Sequence, residues 1–258
     1  MKFSFLKKGH TGVKRYIARA FLGLITTIGV LGHVSAIYKL PYIDQVEDLL
    51  YDTRVRLSAP GGIDDRIVIV AIDEESLQRH GHWPFTREKF ADMMTHLTDY
   101  GASVVGFDVL FAERDESADV DILRKLAAQE GDEAFIERLD EFEPQIDRDR
   151  LFADAIAGVP TILGYYFDNQ EETAFTTGVL PYPSFELHES MTDSIFLPRG
   201  AGYSSTLPVL MESAYSAGFM NNPLIDPDGV VGRTPLLHEF EFNVYESLSL
   251  AIAATHLN

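Results

Sequence analysis

Residues Ala20 to Tyr38 (AFLGLITTIGVLGHVSAIY) run for 19 positions without an ionised side chain, close to the ~20 residues that a helix needs to cross the hydrocarbon core of a bilayer. Ahead of this run, residues 1–19 hold Lys2, Lys7, Lys8, Lys14, Arg15 and Arg19 and no acid, although the chain of 258 residues carries a net charge of −19. Basic residues collect on the cytoplasmic side of a span. The expected order is therefore a cytoplasmic basic tail (1–15), a transmembrane helix (16–38) with Tyr16 and Tyr38 at its interfaces, and an acidic remainder outside. A cleavable signal peptide, with small residues at Val34, Ser35 and Ala36, and a buried soluble helix are the competing readings. The long basic lead and the glycines Gly23, Gly29 and Gly32 favour the span.

After the span, Ile43, Val46, Leu49, Leu50 and Leu57 recur near helical spacing. Residues 39–59 read as an amphipathic stalk helix, with Pro41 the natural point for a break. The turn cluster Ala59-Pro60-Gly61-Gly62 separates the stalk from a domain over 60–258. Arg66 to Ile72 is nearly all β-branched and reads as a strand covered on both faces, ending at Asp73. Thr86 is a plausible N-cap, Phe90, Met93, Met94 and Leu97 fall on one helical face, and Gly101 is a stop signal. Ser103 to Phe107 reads as a second buried strand ending at Asp108, so residues 66–108 form a βαβ unit with a right-handed crossover. The fold class is α/β, a mainly parallel sheet with helices on both faces.

From Glu113 to Arg150 there are 14 acids against six bases, which predicts solvated surface helices. A helix then resumes over Leu151 to Ile156, and Val159 to Phe167 reads as a third strand. Residues 168–208 are rich in Pro, Gly, Ser and Thr and read as a long excursion. Two more strands, Ala217 to Asn221 and Val230 to Phe242, would join around the turn Asp226-Pro227-Asp228-Gly229, and Leu248 to Leu257 forms a closing helix. The negative field disfavours nucleic acid as a partner. The absence of Cys excludes thiolate catalysis, disulfides and Cys-based metal sites.

Several separated motifs now agree with one another: Tyr51-Asp52-x-Arg54, the run Ile67 to Asp73 with Ser76-Leu77, Gly81-x-Trp83-Pro84 with Arg87, Gly106-Phe107-Asp108-Val109-Leu110-Phe111 with Glu113, and Asp228-Gly229-Val230-Val231. In this order the chain resembles the CHASE family of extracellular sensory domains, second type, from about residue 44 to 256. It departs from the family pattern at Arg114, where a Pro is usual, at Gly232, which intervenes before Arg233, and in the acidic stretch 115–146, which looks like an insertion. The resemblance implies an extracytoplasmic input domain of a bacterial inner-membrane receptor, periplasmic or extracellular, joined to a cytoplasmic nucleotide cyclase or a sensor kinase. No catalytic residues are recognised, since the chain holds neither a P-loop nor a kinase catalytic loop.

In a parallel sheet ligands sit beyond the carboxyl ends of the strands, which here offer Asp73 and Asp108, with Glu113 beyond. Two such carboxylates are candidates for a divalent cation or an amine ligand, or for structural bonds to loop amides; His80 and His82 would allow a mixed metal site. Trp83 is a candidate for stacking on a ligand or for a lid over the sheet. Arg87 sits unfavourably in a first helical turn, which predicts a partner such as Asp73 or Asp108, or else capture of an anionic ligand. Tyr51, Asp52 and Arg54 on the stalk are candidates for signal coupling. The partners expected are the membrane and a small-molecule or ionic ligand, and a homodimer is compatible with the stalk. The alternatives are a structural or oligomerisation module and a metal-dependent hydrolase built on the strand-end carboxylates.

Overall fold

The computed structural model describes residues 7–35, 37, 41–59, 61–115, 118–170, 172, 174–188, 195, 197–222, 231 and 233–258. Tyr38 and the Asp226 to Gly229 turn lie outside them. The chain divides into two units, residues 1–65 with 226–232, and residues 66–225 with 233–258.

The first unit carries α1 (Lys7–Val34) and α2 (Pro41–Ser58). Within α1, Lys14–Val34 is long and apolar enough to cross a membrane, and of its residues only Gly32 is buried. Pro41 opens α2, where its missing N–H costs nothing. Tyr51 and Asp52 are half-buried and Arg54 is exposed, its Nε donating to the Leu50 carbonyl at 3.3 Å.

The second unit begins with an outcome that the sequence pattern does not foretell. Arg66 to Ile72 forms no strand: Val68 is 79% and Ile69 86% exposed, and among the described residues no ladder bonds join the run to a neighbour. A β-branched run satisfies one condition for a strand, but its amides also need an edge to pair with, and among the described residues those of Ile67 to Ile72 take none. The run leads into α3 (Glu74–His80), a helix lying between the expected strand and the helix expected after Thr86. Its signals are local: Asp73 accepts from the Ser76 N–H at 2.9 Å as N-cap, and Glu74 and Glu75 follow in the first turn.

Next come α4 (Arg87–Asp99), β1 (Val105–Phe107), α5 (Ala118–Glu130), α6 (Glu133–Ile146), α7 (Arg148–Ile156) and β2 (Thr161–Asp168). Helix α4 starts after Thr86 as expected, and the chain leaves it through Gly101 at φ +84°. The acidic segment forms α5 and α6, linked by an Arg124 to Asp140 ion pair at 2.7 Å.

The excursion then supplies β3 (Thr176–Thr177), β4 (Phe185–Glu186), β5 (Gly202–Ser204) and α8 (Pro208–Ser213), followed by β6 (Ser216–Phe219), β7 (Leu237–Phe240), β8 (Asn243–Glu246) and α9 (Leu248–Leu257). Strand β2 is the centre: β1 and β6 flank it in parallel, and its end turns to pair antiparallel with β5, which carries β3. A second, antiparallel sheet has the order β4-β8-β7.

Of the strand expected over 230–242, β7 keeps only Leu237 to Phe240, and residues 231 and 233–236 form no strand. Glu241 and Phe242, at φ +50° and +64°, turn the chain into a β7–β8 hairpin. Such a turn usually takes Asn or Gly, so the alternating residues conceal it.

Successive residues of a strand face opposite ways. Phe107 of β1 meets Phe90 of α4 and Phe152 of α7, while a Cβ on Gly106 would strike Ile252 of α9. Helices therefore cover both faces of the parallel sheet. Gly164 in β2 has to be glycine, because a Cβ there would lie 2.5 Å from the Phe107 carbonyl oxygen.

Candidate functional site

The amino end of α4 gathers a cluster of buried side chains in the second unit. Phe90, Phe107, Phe111 and Phe152 pack as a cluster with ring centroids 5.1–6.0 Å apart, mostly edge to face. Arg87 lies against it with its guanidinium 4.6 Å from the Phe111 ring centre. Only 8% of Arg87 is exposed, so its charge requires partners. Nε donates to Asp149 Oδ1 at 3.1 Å, and Nη2 donates to the Glu113 carbonyl at 2.7 Å. Asp149 also accepts from the Asp115 N–H at 3.1 Å, and Asp115 Oδ2 accepts from the Arg87 N–H at 2.6 Å. Arg148 stands 3.9 Å from the other Asp115 oxygen.

This knot ties α4, the 111–115 loop and α7 together. Burial pushes the Asp149 carboxyl above the usual carboxylate range, against the pull of the Asp115 amide and of Arg87. The partner expected for Arg87 was Asp73 or Asp108. Its partner is Asp149, a residue 62 positions away that the sequence offers as one more acid in a solvated stretch. Asp149 and Asp115 are the residues that sequence reasoning missed, and no local signal marks them.

The other candidates are distributed. Trp83 is 46% exposed and stands edge-on to Phe85 and Phe90, at 5.8 and 6.1 Å. Glu113 contributes its carbonyl to Arg87 and leaves its side chain exposed. Trp83, Arg87 and Glu113 thus gather around the start of α4. Asp108 is exposed beyond β1. Asp73 is occupied as the cap of α3, receiving both the amide and the hydroxyl of Ser76, and these bonds hold its pKa below the ordinary value. It stands at a helix start and not at the end of a paired strand. Among the described residues no group of three His, Asp or Glu side chains could hold a metal ion.

A second buried polar centre lies across the sheets. His238 of β7 is fully buried and stacked on Phe167, with ring centroids 4.4 Å apart. Its Nδ1, assigned as the protonated nitrogen, donates to the Glu239 carbonyl at 3.1 Å, and its Nε2 is 3.4 Å from the Asn169 amide nitrogen. Desolvation lowers its pKa to about 4. Glu239 in turn pairs with Arg199 at 2.9 Å. The Tyr165 hydroxyl is buried with no hydrogen-bond partner among the described residues, and that burial carries its pKa well above 10.

The family model for the CHASE2 domain matches residues 25–258. Neither a curated protein nor a solved structure matches the chain. The family match begins inside α1 and runs through α9, taking in the Arg87 knot and both sheets. CHASE2 domains are extracellular, sensory and non-catalytic parts of signalling receptors, and this chain belongs to the CHASE2 family.

Proposed function

We propose that this chain is the ligand-sensing input of a receptor in a bacterial inner membrane, whose cytoplasmic output is a nucleotide cyclase or a sensor kinase. One observation carries the reading: a single family match begins within the apolar helix and covers the domain that follows. That continuity favours a retained anchor over a cleaved leader. Residues 1–15 are the cytoplasmic tail, 16–38 the span, 39–59 the stalk and 60–258 the domain on the outer face.

The ligand meets the surface at the start of α4, around Trp83 with Arg87 and Glu113, and Asp108 and Asp73 are its carboxylate candidates. A divalent cation or an amine suits the two carboxylates. Ligand-induced movement reaches the membrane through Tyr51, Asp52 and Arg54. The topology is tested by labelling from outside intact cells: the Gly62→Cys variant reacts with an impermeant maleimide, and protection from it overturns the reading. For the site, calcium is titrated against thermal unfolding of the full chain. A rise in Tm that disappears in both Asp73→Asn and Asp108→Asn supports the carboxylate pair, and a rise unchanged in either variant removes it. In the complete receptor, Arg54→Ala is expected to keep ligand affinity within a few-fold and to abolish ligand-dependent output.

A further inference from the structure

Helix α2 carries its apolar residues in a spacing that a stalk lying alone in water would not need. Ile43, Val46, Leu50, Thr53 and Leu57 follow one another at alternating intervals of three and four, the a and d positions of a heptad. The described side chains of this stripe are uncovered, from Ile43 at 41% exposed to Leu57 at 83%. Thr53 turns its hydroxyl back onto the Leu49 carbonyl at 2.8 Å, which leaves its methyl for the stripe. An open groove of about 390 Å³ runs along the same side, lined by Ile43, Val46, Glu47, Leu50 and Arg54. In heptad terms the lining consists of a, d and e positions. The opposite side of the helix, at Asp48, Tyr51 and Asp52, is the half-buried one.

We propose that this stripe is the seam of a parallel coiled coil formed with α2 of a second copy of the chain. The inference rests on the membrane-anchored reading above for two points, the common orientation of the two copies and their confinement to one membrane. Anchored spans set both stalks parallel and at the same height, so each a residue meets its own counterpart. The flanking charges permit this pairing. In a parallel pair each g residue faces the e residue five places on in the partner. Tyr42 then faces Glu47 and Leu49 faces Arg54, so no like charges meet. Glu47 and Arg54 border the stripe on its e side, and the exposed Tyr42 and Leu49 extend it on its g side, where they would meet those charged side chains of the partner. Two heptads are too short to pair as free peptides, and confinement in one membrane raises the effective concentration that makes them sufficient. Arg54, assigned above to coupling, then borders the seam, and a shift of one stalk against the other becomes the signal.

Because the chain contains no cysteine, the seam can be mapped by single substitutions in the native background. The full chain is reconstituted in lipid vesicles with Cys at Ile43, Val46, Leu50 or Leu57, and in parallel at Gln45, Asp48, Asp52 or Val55, then oxidised briefly and resolved without reductant. Disulfide-linked dimer is expected to be at least five-fold more abundant for Val46→Cys and Leu50→Cys than for Asp48→Cys and Val55→Cys. Adding Leu50→Asp to Val46→Cys should remove most of the dimer. Monomer throughout, uniform cross-linking, or a maximum at Asp48, Asp52 and Val55 overturns the proposal. Protection of the Gly62→Cys variant from impermeant maleimide is a separate result, so failure of the seam and failure of the receptor reading are told apart.

Discussion

Arg87 and the Arg66 to Ile72 run exchange the places that their chemistry would assign them. The arginine is 8% exposed, and Ile69, in the middle of the most β-branched run of the chain, is 86% exposed. Arg87 is inside because three groups from α7 and the 111–115 loop converge on it and a phenylalanine ring covers its plane. The isoleucines are outside because no backbone among the described residues offers its edge to them. Burial follows the supply of partners at least as much as hydropathy.

The largest expected effect tests the first half of that contrast. Arg87→Ala leaves Asp149 buried and unpaired and is expected to destabilise the sensory unit by about 3–5 kcal/mol, as is Asp149→Ala. The double variant Arg87→Met/Asp149→Leu should recover a substantial part of the loss, since apolar replacements leave no buried charge behind. Chemical denaturation of the three proteins is the check. Equal losses in the double and single variants would show that the knot acts through its bonds to the 111–115 loop more than through the ion pair.

His238 extends the comparison to a buried group that stays neutral. Its folded pKa of about 4 lies below the 6.5 of the exposed imidazole, so the unfolded chain binds the additional proton between these values. Stability from this residue is complete above pH 6.5 and declines as pH falls toward 4, by about 3 kcal/mol in all at ~1.4 kcal/mol per pKa unit. Asp149 slopes the other way, because a raised carboxyl pKa makes the folded state the better proton binder. The His238 contribution is therefore read as the difference between the wild type and His238→Phe, measured as Tm from pH 7 to pH 4. A difference that does not vary with pH would mean that the imidazole is solvated in the fold.

The smallest expected effect belongs to the exposed run. Ile69→Asn and Val68→Thr should each change stability by no more than about 0.5 kcal/mol, the range of ordinary surface positions. The amides of 67–72 should exchange with deuterium far faster than those of β2. A loss above about 2 kcal/mol for Ile69→Asn would show that the run is covered in solution and would remove this side of the contrast.

Hydropathy and period, which are properties of neighbouring residues, were enough to determine α1, the face of α4, β1, the core of β2, and α9 from the chain alone. The motifs around Trp83, Asp108 and Arg54 likewise pointed to the CHASE2 family before any contact was known. Four features waited for the tertiary structure. The pairing of Arg87 with Asp149 joins residues 62 positions apart, and nothing near either one announces it. The hairpin at Glu241 and Phe242 depends on positive φ angles at residues that seldom adopt them. Helix α3 is only seven residues long and rests on one cap at Asp73. The exposure of Arg66 to Ile72 turns on whether another backbone presents its edge, and a chain's own sequence cannot state what lies beside it.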